Sequence, residues 1–395
     1  MALVHPMLAL ALVIVAGIGV TRLSRPHLRS PASFDAILAA GAPFVLLGLL
    51  LGPGLGVLDA PTLRALTPVL ALGIGWIGAA FGARLDRRLL RRFPAGAWKA
   101  GAALAAAVFA VTGLTVWMLI RTVPALAAAW RPTVPAIVTL AAAATISAGW
   151  RGPKLARRTA LFDTAFAAVA IAVAFPLSLP HGAVRGVALT VLASGGLAAL
   201  FVLLARWQAD PEYLGIEFFG VILLGAGFGY ATGLSPFFVC GLTTALIVNV
   251  SQHPGRVRAL LAEWGPYTYA AFLILAGVLL RLPTAWLLPA ALLLAVVRIA
   301  TRWTSIRFGR VWAPVRALPP HLGLATVAQG AAAVALAAGF EVAHGGPPPG
   351  IGGGAVLSTV LLSVLVAEAL AGPLRRLAAR EPTPLTAAPP RTEVT

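Results

Sequence analysis

A chain of 395 residues, 59% hydrophobic and 11% charged with a mean hydropathy of +0.92, holds more apolar surface than a soluble core of its length can hide. This excludes an ordinary water-soluble domain, and the single cysteine, Cys240, excludes an intramolecular disulfide framework. The formal charge of +18 has two explanations, an anionic partner or membrane topology, and the placement of the charges decides between them.

Apolar runs long enough to cross a bilayer, each needing roughly 20 residues, recur along the chain. They predict about thirteen spans, at 3–20, 35–57, 66–83, 98–120, 133–150, 155–179, 184–205, 214–232, 235–250, 264–280, 283–301, 318–341 and 353–372. One all-α transmembrane domain over 1–380 follows, with a Pro/Thr/Ala-rich cytoplasmic tail at 381–395 whose composition is that of a disordered segment. The first run has no basic segment before it and no small-residue cleavage pattern after it, so it reads as a retained span.

Connections after odd-numbered spans carry 24 of the 30 Lys and Arg, among them Arg84, Arg87, Arg88, Arg91 and Arg92, and later Arg302, Arg307, Arg310 and Arg316. Those after even-numbered spans hold Arg64, Arg121, Arg131, Arg185 and Arg281, and Arg298 remains inside a span. Basic connections stay cytoplasmic, so the amino terminus is expected outside and the carboxyl terminus inside, in the cell inner (plasma) membrane. Topology therefore accounts for the charge. The partner is the lipid bilayer and no nucleic acid is expected, because no basic stripe is interleaved with exposed aromatics. An odd span count permits two inverted repeats plus an extra helix, the plan by which many secondary transporters place a site at the membrane midplane.

Of the twelve acidic residues, eleven fall in loops, tails or near predicted span ends, Glu341 and Glu368 among them. Asp163, in "ALFDTAF", is the exception. A helix starting at Pro153 places it roughly 15 Å along the axis, about mid-membrane. One reading is an ion pair or snorkelling towards the nearby arginines. The other rests on cost: an ionised carboxylate at the bilayer centre is penalised by roughly 3 kcal/mol or more, so such groups usually line ion or proton pathways. Burial disfavours the charged form of a carboxyl group, and a group that must choose between a proton and a metal cation is the minimal machine for exchange.

Arg298, about fifteen residues into its span in "LLLAVVRIATRW", is either an arginine snorkelling to the cytoplasmic face or a fixed cation bound to backbone carbonyls or a carboxylate. "AAAATISAGW" (141–150) sets Thr145 and Ser147 among small residues, and "GLATVAQGAAAVALAAG" (323–339) sets Thr326, Gln329 and Gly330 in an apolar span. Both fit interhelical hydrogen bonding, and both fit the unwound middle of a broken helix whose backbone ends face an ion. Gly-rich stretches such as "GIGWIGAAFG" (73–82) and "GAGFG" (225–229) predict close helix packing. Short loops and the lack of any His/Glu/Asp cluster argue against an embedded enzyme, and no cofactor is expected.

"PFVLLGLLLGPGLGVLDAPTLRALTPVLALGIGWIGAAFGARLDRRLLRR" (43–92) resembles the second and third spans of monovalent cation:proton antiporters of the Kef-type and sodium/proton exchanger group, with their Gly-rich turn and a G-x-x-L-D after the next helix. "GLSPFFVCGLTTALIVNVSQHP" and "YAAFLILAGVLLRL" look like that family's later helices in the same order. The resemblance implies an inverted-repeat fold with two crossing discontinuous helices, a homodimer, and exchange of Na+ or K+ for protons. Under it, Asp163 takes the place of the ion-binding aspartate and Arg298 that of a basic residue on the eleventh span, while Thr145 and Gln329 fall on the broken helices. Asp163, Thr145 and Ser147 are then the expected ion ligands, with Thr326 and Gln329 as polar groups of the second break. Phe162, Ile146 and Ala331 stand where the family commonly carries polar or acidic residues. A single core carboxylate gives one-for-one, electroneutral exchange. The alternatives are a sodium-coupled organic anion symporter and a scaffold or sensor that has lost transport.

Overall fold

The computed structural model describes residues 8, 11, 13, 15, 19, 41–56, 58, 60–90, 95–147, 162–163, 165–170, 183–207, 211–312, 322–344 and 354–380. All regular structure among them is helical. In chain order the elements are α1 (Ala42–Leu49), continued by a wide turn at Leu50–Gly54, α2 (Ala60–Gly82), α3 (Arg87–Leu90), α4 (Ala95–Thr122), α5 (Pro124–Ala129) and α6 (Thr133–Thr145). Helical residues 162–163 and 165–170 follow, then α7 (Ala183–Trp207), α8 (Pro211–Thr232), α9 (Pro236–Val250), α10 (Pro254–Val278), α11 (Leu287–Trp312), α12 (Leu322–Ala325), α13 (Ala331–His344) and α14 (Ala355–Arg380).

Seven of these helices are long and apolar enough to cross a membrane, and four shorter apolar helices join them. With the composition of the chain, they make this a multi-pass membrane protein. Proline opens α5, α8, α9 and α10, where its missing N–H is harmless and its fixed φ suits the first turn. The first predicted span is helical wherever it is described, and most of the sixth, with the tail 381–395, lies outside the described residues.

Several edges differ from the hydropathy reading. The span expected at 264–280 begins ten residues earlier, at Pro254, so Arg256 and Arg258 belong to a helix rather than a loop. The span expected to end at 301 runs on to Trp312. A hydropathy window stops at the first charges, whereas a helix continues wherever its polar side chains find partners or water. The runs at 133–150 and 318–341, each expected as a span, contain breaks: α6 stops at Thr145, and residues 326–330 are unwound between α12 and α13.

The buried side chains form two clusters. The larger joins α1, α2, α6, α10, α11, α13 and α14; the smaller joins α7, α8, α9 and parts of α2 and α10. Helix α2 belongs to both and lies directly on α9. A Cβ on Gly78 or Gly82 would meet the carbonyl oxygens of Phe237 and Gly241, which explains why "GIGWIGAAFG" is rich in glycine. After α2, Asp86 of the "G-x-x-L-D" pattern accepts the Arg88 amide at 2.7 Å and pairs with Arg258 of α10, fixing the turn. Large apolar residues on α7 and α8, such as Val184, Leu192, Ile216 and Leu224, face outward as a lipid-facing surface requires.

Candidate ion site at the helix breaks

The site starts from an ordinary problem of helix ends. The last turn of a helix leaves carbonyls without intrahelical donors, and inside a membrane no water is at hand to satisfy them. Helix α6 ends in this way at Thr145, with Ile146 extended. Four successive carbonyls there are capped by side chains from elsewhere. Gln329 Nε2 donates to Ala143 O at 3.1 Å, Arg298 Nε to Ala144 O at 2.6 Å, Arg302 Nη2 to Thr145 O, and Arg298 Nη2 to Ile146 O at 2.9 Å. Arg298 Nη1 also donates to Val327 O in the second break. Two arginines one turn apart on α11 thus tie both helix breaks together, with positive charge at the negative end of α6.

Asp163 lies against this arrangement, wholly shielded. Its Oδ2 accepts Ser147 Oγ at 2.6 Å and Arg302 Nη1 at 2.9 Å. Arg302 Nη1 also donates to Thr326 Oγ1 at 3.0 Å, and that hydroxyl in turn donates to Gly323 O at 3.0 Å. A Cβ on Gly323 would meet Arg302 O, so only glycine lets α12 approach α11 at this level. Two of the buried acceptors that have no hydrogen-bond partner among the described residues lie at this site, Asp163 Oδ1 and Gln329 Oε1. Vacant buried oxygens are costly unless something binds them, and hard monovalent cations and protons are what oxygen atoms bind.

All six residues singled out from the sequence, Asp163, Thr145, Ser147, Arg298, Thr326 and Gln329, are buried; hydrogen bonds link Asp163, Ser147, Thr145 and Thr326 directly or through Arg302, while Arg298 and Gln329 bond to neighbouring carbonyls of the two breaks. The Thr145 hydroxyl donates to Ala141 O at 2.9 Å, within its own helix, so its carbonyl is what meets Arg302. Arg298 does not snorkel: it is fully buried and bound to three carbonyls. Two residues were read differently from the sequence. Arg302, assigned there to a cytoplasmic loop, is fully buried on α11 as the ion partner of Asp163. Glu368, assigned to a span end, is 6% exposed inside α14, and its Oε1 accepts the Gly330 amide at 3.2 Å. The one-turn spacing of Arg298 and Arg302 was the available signal for the first, since both must then share a helix face.

Phe162, next to Asp163, is buried against Gly101 of α4, where a Cβ would stand 3.0 Å from that of Phe162. It fills a helix contact instead of supplying a ligand. Ile146 and Ala331 are likewise buried at the two breaks.

No protein-family model and no curated protein matches the sequence. Among solved structures, the chain superposes on the sodium proton antiporter MjNhaP1 from Methanocaldococcus jannaschii with a TM-score of 0.68 at 14% identity, over 95% of this chain and 97% of that one. The chain has the fold of that antiporter. The expectation of an all-α, antiporter-like membrane architecture is therefore met, with two helix breaks joined through α11.

Proposed function

We propose that this protein is a secondary antiporter that exchanges a monovalent cation, Na+ or K+, for protons, with Asp163 as the shared binding group. The observation that carries the reading is the one-sided carboxylate: Oδ2 is held by Ser147 and Arg302, while Oδ1 has no hydrogen-bond partner among the described residues, in a fully shielded site beside both helix breaks. An entering cation takes Oδ1, with Gln329 Oε1 and the Ser147 hydroxyl as neutral oxygens for its remaining coordination. A proton takes the same carboxylate and excludes the cation. Either occupant weakens the attraction between Asp163 and Arg302, and Arg302 retains Thr145 O and Thr326 Oγ1 when it does. The ion pair thus closes the empty site without being lost when the site fills.

One carboxylate serving both occupants makes the exchange one-for-one and electroneutral. The core around the breaks moves against the remaining helices to expose Asp163 alternately to each side, in a homodimer with the amino terminus outside and the carboxyl terminus in the cytoplasm. Support for orientation is the asymmetry of basic residues between alternate connections; support for the dimer is the family resemblance. Cation-dependent proton movement in everted vesicles with Li+, Na+ and K+ tests the reading, and a protein that moves protons with none of them overturns it.

A non-transporting scaffold is favoured by one observation, the closed Asp163–Arg302 pair with Phe162 in place of a polar neighbour. The same vesicle experiment separates it.

A further inference from the structure

Among the described residues, the core where α6, α11, α13 and α14 meet buries four ionisable groups of opposite sign in equal number: Arg298, Arg302, Asp163 and Glu368. Asp163 is matched by Arg302 through a direct ion pair. Arg298 spends its donors on carbonyls of the two breaks, and its guanidinium lies in the electrostatic field of both Asp163 and Glu368. Glu368 itself accepts the amide of Gly330, whose φ of +71° turns the unwound segment into the first residue of α13. A carboxylate at the start of a helix is in the favourable orientation to its dipole.

We infer that Glu368 is a fixed counter-anion of the transport core, and that its negative charge sets how tightly the Asp163 site holds either of its occupants. The argument rests on the proposed exchange reading and on charge counting. Counted over these four groups, with Glu368 ionised the empty core is neutral, and the core loaded with a cation, or with a proton on Asp163, carries one positive charge. Without that anion the empty core carries one positive charge and the loaded core two. Charge concentrated in a low-dielectric interior is penalised steeply, so loading becomes harder for both occupants. Among the described residues, Arg298 of α11 and Tyr269 of α10 lie within electrostatic reach of Glu368; α6 and α12 offer no ionisable side chain; Glu341 and His344 sit at the far end of α13; and Arg375 and Arg376 lie two turns further along α14.

Glu368→Gln removes the charge and keeps an oxygen for the Gly330 amide. In proteoliposomes we expect the apparent KM for the transported cation to rise about tenfold and the acid limb of the pH profile to move about one unit lower, one pKa unit being a tenfold change in proton affinity. The sign is the same for both because both occupants are cations. Maximal turnover at saturating cation stays within about twofold, since no group that touches the ion is lost. Glu368→Ser is the second neutral variant should the glutamine fail to pack, and Glu368→Asp, which keeps the charge, must return both values towards wild type. Unchanged KM and pH limb in a folded neutral variant overturn the inference, as does equal loss of turnover in all three variants, which marks a structural role. The cation-dependent shift in thermal unfolding of purified protein reads binding without transport. If wild type binds but does not exchange, the transport reading fails while the inference is judged by the same weakened binding in Glu368→Gln; if wild type does neither, both fail.

Discussion

Arg302 and Asp163 form an ion pair at 2.9 Å in which solvent reaches neither side chain. Burial of two charges is expensive, and such a pair seldom repays its own desolvation through Coulomb attraction alone. Here each partner has further bonds: Ser147 on Asp163, and Thr145 O and Thr326 on Arg302. The pair is held by a network that survives when the carboxylate changes occupant, which suits a site that must fill and empty.

Replacing Arg302 therefore acts on proton competition. Loss of the neighbouring cation favours the neutral form of the carboxyl group, so protons compete with the cation up to higher pH, and the activity profile moves to the alkaline side by about one unit or more. The pH dependence of exchange by Arg302→Gln in proteoliposomes checks this. A shift to the acid side contradicts the assigned role.

Ser147 makes a 2.6 Å hydrogen bond to the carboxylate, in the range of charge-assisted bonds. Ser147→Ala should raise the apparent KM for the cation by about tenfold, the loss of roughly 1.4 kcal/mol, with a smaller effect on maximal turnover. Initial rates across a cation series read both quantities, and an unchanged KM removes Ser147 from the site.

Arg298 caps carbonyls that no water can reach, and each buried acceptor left alone costs about 1–3 kcal/mol. Arg298→Met, of similar length and without donors, should lower stability by about 3 kcal/mol or more, visible as earlier thermal unfolding in detergent. Arg298→Lys recovers only part, because a single ammonium cannot reproduce a planar fork that spans two helix breaks.

The contact of α2 with α9 makes a separate, purely structural prediction. Gly82→Ala sets a methyl group against the Gly241 carbonyl and forces the helices apart, at a cost of about 1–3 kcal/mol. Gly195→Ala in α7, where nothing lies within 4 Å of the added atom, is the control and should be neutral or stabilising. Thermal unfolding of the two variants side by side distinguishes them.

Much of this organisation was legible in the sequence because membrane helices announce themselves by length and apolarity. The runs around α4, α7 and α8 are recovered almost residue for residue. Asp163 was legible for a related reason: a carboxylate in hydrocarbon is conspicuous. What lay beyond reach was the pairing of distant residues. Nothing local says that Gln329, Arg298 and Arg302 cap four consecutive carbonyls at the end of α6, because capping across elements depends on how helices cross. Arg302 was hidden by its company, since four arginines between 302 and 316 read as a cytoplasmic loop, while the first turns inward. Glu368 was hidden by the arginines seven and eight residues beyond it, which mark a span end that the carboxylate itself precedes by two turns.

The central claim, that Asp163 is the group for which cation and proton compete, is tested most directly by cation-driven proton movement in everted vesicles, wild type beside Asp163→Asn at equal expression. The account predicts exchange with at least one of Na+ and K+ in the wild type and none in Asp163→Asn, because the amide neither takes up a proton in this pH range nor offers a charged ligand. Exchange by Asp163→Asn at the wild-type rate would contradict it.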